Sequence, residues 1–281
     1  MGLSPLPVVD TRFFFRPVSS ALVTLLGDLS IEQWNRGTVA GAWTVRDVVA
    51  HLIDVSFRRV SFHRDRLNPP PPPFPIHDER DFVRFINGLN HEWVQATKRC
   101  SPQVLIELFE LASTDLATFF EALPPDAPGL FGVSWAGEQS SSGWFDTGRE
   151  FTELWHHQMQ IRLAVGAEPL REPRYLKAVL EVSMRVMPYA YRDLRAQDGE
   201  AVTIEVDGPA GGLWTLTREG GRWVLWTGRP DRVNARVVMA DELAWKLLYN
   251  ALPAAETSAG IVVEGRSELT APIFRARSIV I

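Results

Sequence analysis

Glu153 and His157 lie four residues apart in the stretch Glu150-Phe-Thr-Glu-Leu-Trp-His-His-Gln-Met-Gln-Ile-Arg162. On a helix, that spacing stacks the two side chains on one face, about one turn apart. A carboxylate and an imidazole so placed can grip one divalent ion, but two ligands do not make a site. The third donor must come from elsewhere, and the candidate is His51 in Trp43-Thr-Val-Arg-Asp-Val-Val-Ala-His51-Leu-Ile-Asp54. Three such donors leave coordination positions open for water or substrate, as a catalytic metal requires. Zinc is the first expectation, and nickel, iron or manganese suits the same set.

Taken singly, each piece is weak. Glu-x-x-x-His recurs by chance in helical sequence, and His51 alone reads first as a satisfied core histidine. A glutamate on an otherwise apolar stripe adds information, because a buried carboxylate is costly unless paired or metal-bound. Glu150 also faces inward, but seven residues from His157 is roughly 10 Å along a helix. It can support a ligand from behind but cannot share the ion. His156 points about 100° away from His157, and solvent or a second domain is its expected neighbour. His63, His77 and His91 lack a partner at ligand spacing and read as surface or capping residues. Cys100 precedes Ser101-Pro102 at a helix end and reads as an inert structural thiol.

The elements that must position these residues follow from hydrophobic period. A helix is expected over roughly 17–29, then a polar loop to about 42. Thr44-Val-Arg-Asp47 has the capping-box pattern and opens the helix that carries His51, with Val48, Leu52, Val55 and Phe62 along its inner face. That helix should end near Leu67, before the stiff run Pro69 to Pro73. Two more helices are expected from Asp78 to about Cys100 (Phe82, Phe85, Ile86, Leu89 and Trp93 inward) and from Pro102 to about Leu123. A long Gly-, Pro- and Ser-rich loop from 124 to 143 precedes the helix of 144–165, where it can cover the site. Pro173 starts a further helix, which Pro188 kinks or ends.

Near residue 197 the period changes from helical to alternating. Val202, Ile204 and Val206 read as a strand, and Leu213–Thr217 and Trp223–Thr227 flank Glu219-Gly-Gly-Arg222 as a hairpin. Val233 to Met239 alternates again, and Asp241 caps a helix that Pro253 stops. Apolar runs at 261–263 and 279–281 close the chain. The expected division is therefore a helical domain over 1–197 and a small α+β domain over 198–281.

The composition narrows the function classes. A chain of 281 residues with 46% hydrophobic residues can bury a large core. No apolar run approaches the ~18 residues of a membrane span, and no basic segment precedes an apolar core at the N-terminus. A net charge of −5 without a basic block argues against nucleic acid as the main partner. One cysteine permits no internal disulfide, which suits a cytoplasmic location.

Two segments carry a family resemblance. Gly41-Ala-Trp-Thr-Val-Arg-Asp-Val-Val-Ala-His51-Leu resembles the metal-histidine helix of the DinB-like four-helix bundles, in the branch of mycothiol-dependent maleylpyruvate isomerases. Glu153-Leu-Trp-His-His157-Gln-Met-Gln-Ile-Arg162-Leu-Ala-Val-Gly166 resembles the second ligand helix of that branch. The resemblance implies a DinB-like bundle with extra helices over 1–197 and a sterol-carrier-like α+β domain over 198–281. It implies a divalent metal on His51, Glu153 and His157, and a low-molecular-weight thiol such as mycothiol as cofactor. It also implies an isomerase or S-transferase acting on a small electrophilic substrate, as a monomer or homodimer. In the isomerase an arginine of the second domain assists the anionic substrate, and Arg266, Arg275 and Arg277 are the candidates for its counterpart here, with none singled out. Two other readings use the same residues. Metal-activated water would make a hydrolase. A non-catalytic module would bind an apolar ligand beside Trp214, Trp223, Trp226 and Trp245, which read first as core, with the metal fastening the helices.

Overall fold

The computed structural model describes residues 2–124, 126–170, 172–252 and 260–280. Pro253, the expected helix stop, and the last residue of the apolar tail lie outside the described residues. The chain forms two compact units that do not coincide with a single cut at 197. A helical unit comprises Thr11–Ala127 and Glu153–Leu170, and a mixed unit comprises Met1–Asp10, Pro128–Thr152 and Arg171–Val280. Among the described residues, no helix is long and apolar enough to cross a membrane.

The helical unit opens with a short 3-10 turn, Arg12–Phe14, and helix α1, Phe15–Gly27. Phe15, Val18, Leu22 and Leu26 of α1 are buried, and Phe15 meets Phe120 with ring centroids 4.8 Å apart. The polar segment expected to be a loop contains one turn of helix, α2 (Ile31–Trp34), capped at both levels by Ser30 and Gln33. Helix α3 runs Val45–Arg59. Its capping box forms as the sequence dictates: Thr44 accepts from the Asp47 amide, and the Asp47 carboxylate accepts from the Thr44 amide at 3.1 Å. Past Arg59 the helix loosens into a π turn, Val60–Arg64, closed by the Asp65 amide donating to the Val60 carbonyl. The proline run is exposed.

Helix α4 (Glu79–Thr97) is capped by Asp78, and α5 (Pro102–Ala122) by Ser101. Helix α5 buries Leu105, Phe109, Ala112, Leu116 and Phe120, and packs against α1 and α3. The apolar residues of α4 were expected inside, but Phe82, Phe85, Ile86, Leu89 and Trp93 are only half-buried. Asn90, Val94 and Thr97 form its buried line. Helix α6 spans Gly143–Val165, and its residues from Glu153 onward belong to this unit.

In the mixed unit, Pro128 and Ser142 bridge the ends of the long loop, and the buried Asp146 carboxylate holds it by accepting from the Leu130 amide at 2.7 Å. Helix α7 (Pro173–Ser183) passes through a 3-10 turn, Met184–Val186, into α8 (Met187–Ala190). Pro188 sits in the first turn of α8, where its missing N–H costs nothing.

Five strands follow: β1 (Ala201–Asp207), β2 (Gly212–Glu219), β3 (Arg222–Thr227), β4 (Ala235–Ala240) and β5 (Val262–Gly265), in the order β3-β2-β1-β4-β5. The Gly220-Gly221 hairpin has both glycines at positive φ, 53° and 76°, the two-residue turn whose twist matches the strands. β1 and β4 pair in parallel and every other neighbour is antiparallel. Helix α9 (Asp241–Leu248) begins at Asp241 rather than being capped by it, since Ala240 holds the cap position. The Asp241 carboxylate instead accepts from the Ala210 amide at 3.1 Å. Helix α10 (Ser267–Arg275) lies where only a tail was expected.

Candidate metal centre

Helix α3 delivers His51 and helix α6 delivers Glu153 and His157. Their ligand atoms all lie within 4.8 Å of one another. Nε2 of His51 is 3.9 Å from Oε2 of Glu153, and Nε2 of His157 is 3.4 Å from the same oxygen. The imidazoles meet edge to face with centroids 4.8 Å apart. His51 is 6% exposed and His157 7%, while the Glu153 side chain keeps 18% of its surface open. The three residues single out a shared point between two helices that are about a hundred positions apart in sequence.

The protonation states suit a cation. Burial pushes His51 down to about 4, against the opposing pull of Glu153, so it is neutral at pH 7. Burial alone would raise Glu153, but the imidazoles of His157, His51 and His156 around it overcome that and hold Glu153 well below the usual carboxylate range. A neutral imidazole and a carboxylate are the forms in which these side chains ligate.

Sequence reasoning missed two residues at the site. Gln160 is buried, and its Oε1 lies 2.7 Å from Nδ1 of His157. The signal was present as a polar residue three positions on from His157, on the same side of the helix. Trp43 stands over both imidazoles, with centroids 4.9 Å from His51 and 6.3 Å from His157. It immediately precedes the α3 cap and was visible only as part of a motif.

The remaining histidines divide. His156 was expected at solvent or against a second domain; it is 2% exposed and its ring lies 4.0 Å from that of His157. His77 and His91 are exposed, whereas His63 is half-buried with its ring edge-on to Phe119 at 4.9 Å. Glu150 pairs with Arg149. Cys100 is a half-buried free thiol.

The three arginines belong to the mixed unit. Arg266 pairs with Glu200 and Glu268, Arg277 donates to the carbonyls of Phe274 and Ala276, and Arg275 is exposed. Four tryptophans of that unit, the ones weighed as a ligand pocket, behave as core. Trp214, Trp223 and Trp245 are buried and Trp226 half-buried. Their indole N–H groups donate to Glu181, the Leu194 carbonyl, Glu242 and Thr217 respectively.

The family model described as the mycothiol maleylpyruvate isomerase N-terminal domain matches residues 15–162, which include all three clustered side chains. The chain belongs to the DinB-like mycothiol maleylpyruvate isomerase family. Among solved structures, it is similar to the mycothiol-dependent maleylpyruvate isomerase, at 14% identity and a TM-score of 0.53, covering 90% of this chain and 91% of that one. A histidine-to-alanine mutant of the mycothiol-dependent maleylpyruvate isomerase matches at 13% identity and a TM-score of 0.52, with the same coverage. These likenesses establish a shared fold. No curated protein matches the chain.

Proposed function

We propose that this protein is a metal-dependent, thiol-cofactor-dependent isomerase or S-transferase of a small electrophilic substrate, with maleylpyruvate or a similar conjugated acid as the substrate class. The observation that carries this reading is the convergence of one carboxylate and two buried imidazoles, with His51 neutral and Glu153 ionised, in a chain of this family. In this reading His51, Glu153 and His157 hold one divalent ion, zinc first. The helical unit is a DinB-like four-helix bundle with extra helices, and the mixed unit is a sterol-carrier-like domain.

Bound there, the metal would supply a thiol-acidifying Lewis acid, because a coordinated thiol loses its proton. The chain's own residues do the rest. The single negative charge of Glu153 with two neutral imidazoles leaves a divalent site with net positive charge, which favours an anionic thiolate. Trp43 covers the rings and keeps bulk water from one side of the donors. The partly open Glu153 side chain marks where a ligand approaches. A borrowed thiol also accounts for a chain with one buried-edge cysteine and no catalytic Cys pair, and it fits a reducing compartment such as the cytoplasm. Arg266, Arg275 and Arg277 are the residues proposed to assist an anionic substrate; Arg266 and Arg275 are exposed, and Arg266 is already paired with Glu200 and Glu268.

The test has two stages. Elemental analysis should find about one equivalent of metal in purified wild type and none in His51→Ala. The metal-loaded protein should then turn over a panel of conjugated electrophiles only when a low-molecular-weight thiol is added. Absence of bound metal in the wild type overturns the reading, and turnover without thiol replaces it with hydrolysis by metal-activated water.

A further inference from the structure

Gln160 stands behind His157, on the side of the ring away from Glu153. Its amide oxygen is 2.7 Å from Nδ1, and both side chains are buried. In a neutral imidazole, an acceptor against Nδ1 fixes the proton on Nδ1 and leaves Nε2 as a bare lone pair. That lone pair then faces the Glu153 carboxylate oxygen at 3.4 Å. Two electron-rich atoms so close in a buried place repel each other unless a proton or a metal cation lies between them. With a metal ion there, this is the arrangement a metal-bound histidine adopts. Without a cation, the favourable arrangement is the reverse: Nε2–H donates to Glu153, and Nδ1 needs a donor behind it.

An amide can meet both demands and a carboxylate cannot. Rotated about its last torsion by half a turn, the Gln160 side chain presents –NH2 in place of its oxygen at the same distance. We infer that Gln160 is a positioning residue that serves both tautomers of His157, donating to Nδ1 when the site is metal-free and accepting from Nδ1–H when Nε2 binds the ion. The exchange moves one proton from Nε2 to Nδ1 through solvent, so His157 neither gains nor loses a proton overall. The chain keeps a buried imidazole satisfied in either state, and loading does not leave an orphaned polar atom behind the ligand. This inference rests on the metal reading of the same three residues.

The experiment compares wild type, Gln160→Met and Gln160→Glu. Zinc affinity is measured by competition with a chromophoric chelator, and the His157 tautomer by two-bond ¹H–¹⁵N NMR, with and without zinc. Loss of an outer partner of a ligating histidine weakens metal binding by about 10–100-fold, and that is the loss expected for Gln160→Met. Gln160→Glu retains the acceptor and should bind zinc at least as tightly as wild type, which also guards against a folding defect in the methionine variant. The wild-type His157 proton should move from Nε2 to Nδ1 on zinc addition, whereas in Gln160→Glu it should sit on Nδ1 in both states. A Gln160→Met affinity within twofold of wild type, or a wild-type tautomer that zinc leaves unchanged, overturns the inference while the metal reading stands. Wild-type protein that binds no zinc overturns both.

Discussion

The depressed His51 makes the metal-free protein acid-sensitive in a defined window. His51 titrates at about 4 when folded, against 6.5 for the unperturbed side chain. Between these values the unfolded chain binds the proton and the folded chain does not, so stability rises with pH there and falls as pH drops from 6.5 towards 4. At pH 5 the ratio of the two binding polynomials is roughly 30, a loss of about 2 kcal/mol relative to pH 7. Below pH 4 the loss levels off at about 3 kcal/mol. Glu153, also depressed, adds its own loss as pH falls into and below the ordinary carboxylate range, so it hardly blurs the window above pH 5. The assay is urea unfolding of chelator-treated wild type and His51→Gln at pH 7 and pH 5, followed by circular dichroism. The variant is expected to be less stable at pH 7, but its loss between the two pH values should be smaller than wild type by about 2 kcal/mol. Parallel losses in both proteins would refute the burial argument for His51.

Three further outcomes follow from the structure. Zinc at a hundredfold excess over its Kd should stabilise wild type by about 2.7 kcal/mol, a Tm rise of roughly 5–10 °C, and leave Glu153→Gln unmoved in the same thermal melt. Thr44→Ala removes the side-chain cap of the helix that carries His51 and should cost about 1 kcal/mol by denaturant unfolding, with some loss of zinc affinity. Gly137→Ala places a methyl group against the Tyr189 ring at a φ of +77°, and should cost about 1–3 kcal/mol or more, again read by unfolding. A neutral effect at Gly137 would mean that the loop from 128 to 142 yields more readily than its hydrogen bonds to Asp146 and Ser141 suggest.

Local chemistry was the readable part of this sequence. The Thr44/Asp47 box, the Gly220-Gly221 turn and the pairing of Glu153 with His157 each depend on residues within a few positions of one another, and each stands in the structure as its spacing predicts. The same logic was available for α2, where Ser30 and Gln33 form a capping box, but one helical turn is too short for a hydrophobic period to show. Pro272 sits inside α10 and hides it from any reading that treats proline as a stop. The parallel pairing of β1 with β4 is a long-range choice that no local pattern encodes. His156 was misplaced for a related reason. Period assigns faces only when one face meets water, and from Glu150 to Ile161 every residue of α6 is buried except Glu153.

That all-round burial also constrains how this protein can diversify. A helix with a wet side offers positions where substitutions accumulate at little cost, and new specificities can be explored there. Over the turns that carry Glu153 and His157, α6 has no such positions, and nearly every change is a change of packing. Descendants that keep the His51–Glu153–His157 cluster must therefore draw their variation from the exposed loops and from the half-buried face of α4, not from the helix that carries Glu153 and His157.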